Sequence, residues 1–201
     1  MTPAAATGRA DGTGLLERAI GYALGTIGNV TPELLASPTP CRDWNLGMLL
    51  AHVNDGLAAL GDGIRSGHIG LAPEEDDAAD PAQTFRDRAA RLLAAWSRPG
   101  GRWSVIAIGG MPLAASTVAS TGAVEIAVHG WDIGQACGQP RPVPDDLASA
   151  LLEVCPLLVR RSARYLLFDE PVEVPPLACP SDRLVAFLGR DPGAHGTPRR
   201  A

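Results

Sequence analysis

Lysine is missing from this 201-residue chain, and all 17 of its basic residues are arginine. That bias fits a genome of high GC content and concerns the source rather than the fold. Charge of any kind is scarce, at 19% of residues, and the net charge is -5 with no long basic cluster. Nucleic acid is therefore not an expected partner. No apolar stretch reaches the roughly 18 residues that a membrane span needs. The opening MTPAAATGRADGTG lacks a basic start followed by an apolar core, so it does not read as a signal peptide. The four cysteines, Cys41, Cys137, Cys155 and Cys179, include no C-x-x-C pair. Without a secretory signal they read as reduced thiols in the cytoplasm, with pairing of Cys155 and Cys179 left open.

What is present is apolar and small. Hydrophobic residues make up 46% of the chain, enough for one globular domain with a full-sized core. The expected domain spans 14–190, between a flexible N-terminus (1–13) and a loose tail (191–201). Apolar periodicity predicts helices over about 14–28, 46–66, 81–97, 115–137 and 144–165, with a short one over 181–188. Asn45 suits the cap of the second helix. The stretch SPTPCRDW before it is a proline-rich loop, and HIGLAPEEDDAAD (68–80) an acidic surface loop. Around Gly109 and Gly110, RWSVIAIGGMPLAA has the look of a short β-hairpin near 102–113. The fold class is all-α: a helical bundle with an extra C-terminal helix.

The fourth helix carries the one anomaly. ASTVASTGAVEIAVHGWDIGQACG contains no Arg or Lys, and its acids are Glu125 and Asp132. An unpaired buried carboxylate is costly, so Glu125 either faces water or meets something cationic. Four residues on, His129 shares its helical face. On the second helix, a stripe of Met48, Leu49, His52, Gly56, Ala59, Leu60 and Gly63 places His52 toward the interior. Two imidazoles and a carboxylate make the ligand set of an open zinc site or of a non-haem iron triad. Against this stand plainer readings. Either histidine could be a hydrogen-bonded core residue, and Glu125 could pair with Arg160, Arg161 or Arg164. Cys41 lies too far along the helix axis from His52 to reach the same ion, and reads as a small buried apolar residue. His68 and His195 fall in a loop and in the tail. Asp132 either orients a histidine or faces solvent. Trp44 and Trp131 are core plugs or an aromatic wall.

The segments SPTPCRDWNLGMLLAHV (37–53) and VEIAVHGWDIGQACG (124–138) together resemble the actinobacterial mycothiol-dependent maleylpyruvate isomerase family, within the DinB/YfiT-like superfamily. DRLVAFLGRDP (182–192) is similar to the end of its shorter members, and the likeness runs from about 14 to 192. The resemblance implies a DinB-like four-helix bundle around a divalent metal, usually zinc, with nickel or ferrous iron as alternatives. Its ligands fall on His52, Glu125 and His129. It also implies a low-molecular-weight thiol, mycothiol, as cosubstrate. The longer isomerase has a second domain that this chain is too short to hold, so the expected activity is S-transfer or isomerisation of another small electrophile. Other readings are a non-catalytic binding or resistance protein, and a metal-independent or hydrolytic tailoring enzyme with Glu125 and His129 as acid and base. The expected partners are a small-molecule substrate and a thiol, with a homodimer also open.

Overall fold

Small and apolar residues all round a helix suit it to the centre of a bundle, and α4 (Ala115–Ala136) occupies that place. Every residue from Val118 to Gly134 is buried except Thr121 and Glu125. The computed structural model describes residues 12–41, 43–70, 80–96, 104–159 and 168–193. Helices α1 (Gly12–Ile27) and α2 (Leu46–Ser66) pack on α4, and α3 (Pro81–Trp96) completes the bundle against α2 and α1. The closest pairs are α1 with α4 and α2 with α3. This is the all-α, DinB-like four-helix bundle expected from the sequence. Two helices, α5 (Asp145–Leu158) and α6 (Pro180–Phe187), follow it and pack on each other. No described helix is long and apolar enough to cross a membrane.

The α1–α4 contact depends on glycine. A Cβ on Gly130 would sit 3.1 Å from the Tyr22 ring and 3.3 Å from the Cα of Ala23. On Gly12 it would lie 2.5 Å from the Ser116 carbonyl oxygen. The two helices therefore approach backbone to backbone and run parallel, Gly12 beside Ser116 and Ala23 beside Gly130. Tyr22 fixes the far end by donating its hydroxyl to the Arg141 carbonyl at 2.6 Å.

Helix α2 starts where Asn45 accepts from the Met48 N–H at 2.9 Å. It stops at Gly67, which takes the left-handed conformation (φ 71°) and bonds back to Gly63. Beyond it lies a small sheet. The hairpin is present as β2 (Val105–Ile108) and β3 (Met111–Ala114), with residues 102 and 103 outside the described part. Gly109 and Gly110 both have positive φ, as a tight two-residue turn requires. The expected acidic loop begins instead as a strand, β1 (His68–Ile69), parallel to β2. Two residues carry no periodicity, so this pairing left no trace in the sequence. Helix α5 ends at Leu158, with Pro156 in its last turn; the expected continuation over 160–165 lies outside the described residues. Cys155 and Cys179 are not joined in a disulfide, the first being buried and the second exposed, so the pairing left open above is not formed.

Substituting Gly130→Val forces the α1–α4 backbones apart. Urea unfolding should show a loss of about 1–3 kcal/mol. The matched control is Gly21→Ala on the exposed side of α1, where a Cβ meets nothing within 4 Å. That change should stabilise the protein by about 0.5–1 kcal/mol.

Candidate metal centre

Glu125 escapes burial because it opens onto a pocket between α2 and α4. Its carboxylate Oε2 lies 3.2 Å from His129 Nε2 and 3.9 Å from His52 Nε2. All three side chains offer a ligand atom within 4.8 Å of the others. The two imidazoles meet edge to face with centroids 5.1 Å apart, and Trp44 lies 4.9 Å from the His52 ring. The three residues predicted from the sequence are thus brought together. Their environments differ: the His129 side chain is 8% exposed, Glu125 39% and His52 48%. His52 does not face the interior as expected. The buried face of α2 is Leu46, Leu49, Leu50, Val53, Leu57 and Leu60, and His52 sits beside it on the pocket wall.

Cys41 reaches the site from the other side, against expectation. Distance along the α2 axis was the wrong measure, because the chain before α2 folds back on itself. Pro38 pairs with Asn45, and the Thr39 N–H donates to the Trp44 carbonyl at 3.2 Å. Asp43 takes a left-handed turn (φ 64°), a conformation that Asp tolerates better than most residues. Cys41 and Trp44 consequently both line the pocket. The Cys41 sulfur lies 3.2 Å from Asp132 Oδ2 and 3.9 Å from His129 Nδ1. Trp131, by contrast, is a core plug.

Asp132 is fully buried and orients His129, its Oδ2 standing 3.0 Å from His129 Nδ1. Its charge is met by Arg190, whose Nη2 is 3.0 Å from the same oxygen and whose Nε is 3.4 Å from Oδ1. Arg190 also donates to the Leu188 carbonyl at 2.9 Å and lies 3.2 Å from the Cys41 sulfur. Sequence reasoning missed this residue. The signal available was Arg190 just after the last helix, in the segment DRLVAFLGRDP, with nothing local to say that it turns inward. Arg160, Arg161 and Arg164, weighed as partners for Glu125, lie outside the described residues, as does His195. His68 is exposed on β1.

Proton affinities follow from these contacts. Burial alone would raise the Asp132 pKa, but the Arg190 charge and the His129 hydrogen bond bring it from 3.8 down to about 2. Burial likewise opposes ionisation of Glu125, and the two imidazoles more than reverse it, holding the carboxyl well below its usual range. For His129 burial disfavours the charged ring, yet hydrogen bonds to Asp132, Cys41 and Glu125 lift its pKa well above 6.5. The centre therefore calls for positive charge between His129 Nε2, Glu125 and His52. A divalent cation fits that demand, since His129 can keep its Nδ1 proton on Asp132 and offer Nε2. Cys41, His129 Nδ1 and Asp132 form a second close donor group. There a cation would sit against the Arg190 guanidinium, so the first group is the one that fits.

A family model for the mycothiol maleylpyruvate isomerase N-terminal domain matches residues 16–134. The chain belongs to this family. The matched span holds His52, Glu125, His129 and Asp132 and stops well short of Arg190. Two relatives from Mycobacterium tuberculosis, of strains CDC 1551 / Oshkosh and ATCC 25618 / H37Rv, are 26% identical over 168 residues, covering 82% of this chain and 89% of theirs. Both are named only as uncharacterized proteins. No solved structure matches the chain.

Removing Arg190 alone leaves a buried, poorly paired carboxylate. Arg190→Met should cost about 3–5 kcal/mol in urea unfolding. The double change Asp132→Leu with Arg190→Met should recover much of that loss, while metal affinity, measured by competition with a chromogenic chelator, stays about 10–100-fold down. The acid limb supplies a second check. Because the folded pKa of Asp132 is depressed, its contribution is fully present above the unfolded value of 3.8 and disappears as pH falls toward 2. Metal-free protein should therefore lose on the order of 2 kcal/mol across that window through this group, and Asp132→Leu with Arg190→Met should lose less.

Proposed function

We propose that this protein is a cytoplasmic enzyme that uses a divalent metal and a low-molecular-weight thiol on a small electrophilic substrate, as an S-transferase or isomerase. The observation that carries this reading is the convergence of His52, Glu125 and His129 on the wall of an open pocket of about 850 Å³. Family membership supports mycothiol as the thiol. His52, Glu125 and His129 would hold the ion. Zinc is the first choice for two imidazoles and a carboxylate, with nickel and ferrous iron as alternatives. A bound cation of this kind supplies an open coordination position and lowers the pKa of a thiol that enters it.

The chain's own residues set the conditions for that chemistry. Asp132 holds the Nδ1 proton of His129, which leaves Nε2 as the donor atom. Arg190 keeps Asp132 ionised and in place. Trp44 screens the two imidazoles on one side. In transfer to an activated alkene, the sulfur–carbon bond forms at one carbon as the π bond breaks, and the thiol proton ends on the other. In isomerisation the same addition is followed by rotation and loss of the thiol, so composition is unchanged.

A second reading rests on the direct Glu125–His129 contact, backed by Asp132. That line of carboxylate, imidazole and carboxylate could move protons without a metal. Elemental analysis of purified protein, together with a mycothiol-conjugation assay on a simple enone, separates the possibilities. The expected result is about one metal ion per chain and a conjugation rate that His129→Ala lowers by about 100-fold or more. Wild-type protein that binds no metal removes the basis of the proposal. Activity that survives chelation selects the second reading, and bound metal without turnover selects a non-catalytic binding protein.

A further inference from the structure

The pocket continues past the three candidate ligands, and its walls change character. Along α4 it runs from His129 and Glu125 to Val118, roughly 10 Å beyond Glu125 at about 1.5 Å per residue. Its walls there are Gly56 and Leu60 of α2, Val118 of α4, and Ile69, Ile108 and Leu113 of the sheet. Leu60 closes the floor: a Cβ on Gly122 would come within 2.7 Å of one of its methyl carbons. Gly56, one turn beyond His52, leaves a gap, since a Cβ there meets nothing within 4 Å.

The described charged side chains lining the pocket, besides the histidines, are Glu125, Arg190 and Asp169, and Asp169 lies against Gly189, next to Arg190. Among the described residues lining the pocket the one guanidinium is Arg190, and its donors are directed at Asp132, the Leu188 carbonyl and Cys41. At the apolar end the Thr121 hydroxyl donates to the Thr117 carbonyl at 3.0 Å, within its own helix. A carboxylate placed between Leu60, Ile108 and Leu113 would face aliphatic carbon, with the hydroxyls of Thr117 and Thr121 rather than a cation as the polar groups of the described lining at that end.

We infer that the substrate of this site is an uncharged, largely apolar electrophile, such as an aryl or alkyl enone, with its reactive carbon at the ligand end and its apolar body in the slot by Gly56. This rests on the thiol–electrophile reading for the reactive end only. A dicarboxylate, such as the maleylpyruvate of the family's name, suits this slot poorly.

The test uses metal-loaded full-length protein and two matched probes, 4-phenyl-3-buten-2-one and its para-carboxylate. Binding is measured by calorimetry without thiol, and turnover with mycothiol. The neutral enone should bind about 30-fold more tightly than the carboxylate. Gly56→Phe should weaken the neutral enone by about 10-fold or more while metal content stays unchanged. Leu113→Arg, on the exposed strand β3, should tighten the carboxylate by about 10-fold. Circular dichroism checks that both variants fold, and if Gly56→Phe does not, Leu113→Arg carries the comparison. Equal affinities, tighter binding of the carboxylate, or no binding of either probe overturns the inference. Neutral binding without thiol turnover upholds the substrate class and sinks the thiol-enzyme reading. Turnover that prefers the carboxylate does the reverse.

Discussion

The buried carboxylate of Asp132 is the joint on which the site depends. It is fully enclosed, and burying a charge is tolerable only where partners replace water. Here the partners come from three places in the chain: His129 one turn back on α4, Cys41 from the loop before α2, and Arg190 from the segment after α6. Each depends on the others. Arg190 keeps the carboxylate ionised, the carboxylate fixes the imidazole, and the imidazole points its free nitrogen at Glu125. A network of this kind is strong when every member is satisfied and costly when one is missing.

That joint is possible because α4 is built from small residues. Glycines at 122, 130 and 134 let α1, α2 and the 139–141 turn press against it. Between Val118 and Gly134 the helix then has little exposed surface left, and what remains there, Thr121 and Glu125, opens into the pocket. The same packing that removes water from His129 and Asp132 thus leaves Glu125 half open. A site needs this division: a rigid, dry support behind the ligating atom and access for a small molecule in front. The sheet supplies the far wall, where Ile69 of β1, a strand too short to read from the sequence, joins Ile108 and Leu113 of the expected hairpin.

Much of the bundle was legible because helix signals are local. Asn45 as a cap, Gly67 as a stop and the apolar stripes of α1 to α4 each act within a few residues. The two-glycine turn of the hairpin is local too. What failed were inferences that needed a third dimension. His52 was placed inside from a stripe whose true centre is rotated toward Leu50 and Leu57. Cys41 was excluded by a distance measured along an axis that the chain does not follow. β1 exists only because β2 lies beside it.

Glu125 and His129 are fixed relative to each other by helix geometry alone, since four residues make one turn. The sequence by itself therefore determined that a carboxylate and an imidazole share a face in a stretch without basic residues, and that some positive charge must answer them. It could also point to His52 as the third member. Only the tertiary structure decided what stands behind His129, because Asp132 meets Arg190 and Cys41 from distant parts of the chain. No periodicity spans such separations, which are 58 and 91 positions from one residue to the other. They are set by how the helices pack, and packing is a property of the whole chain.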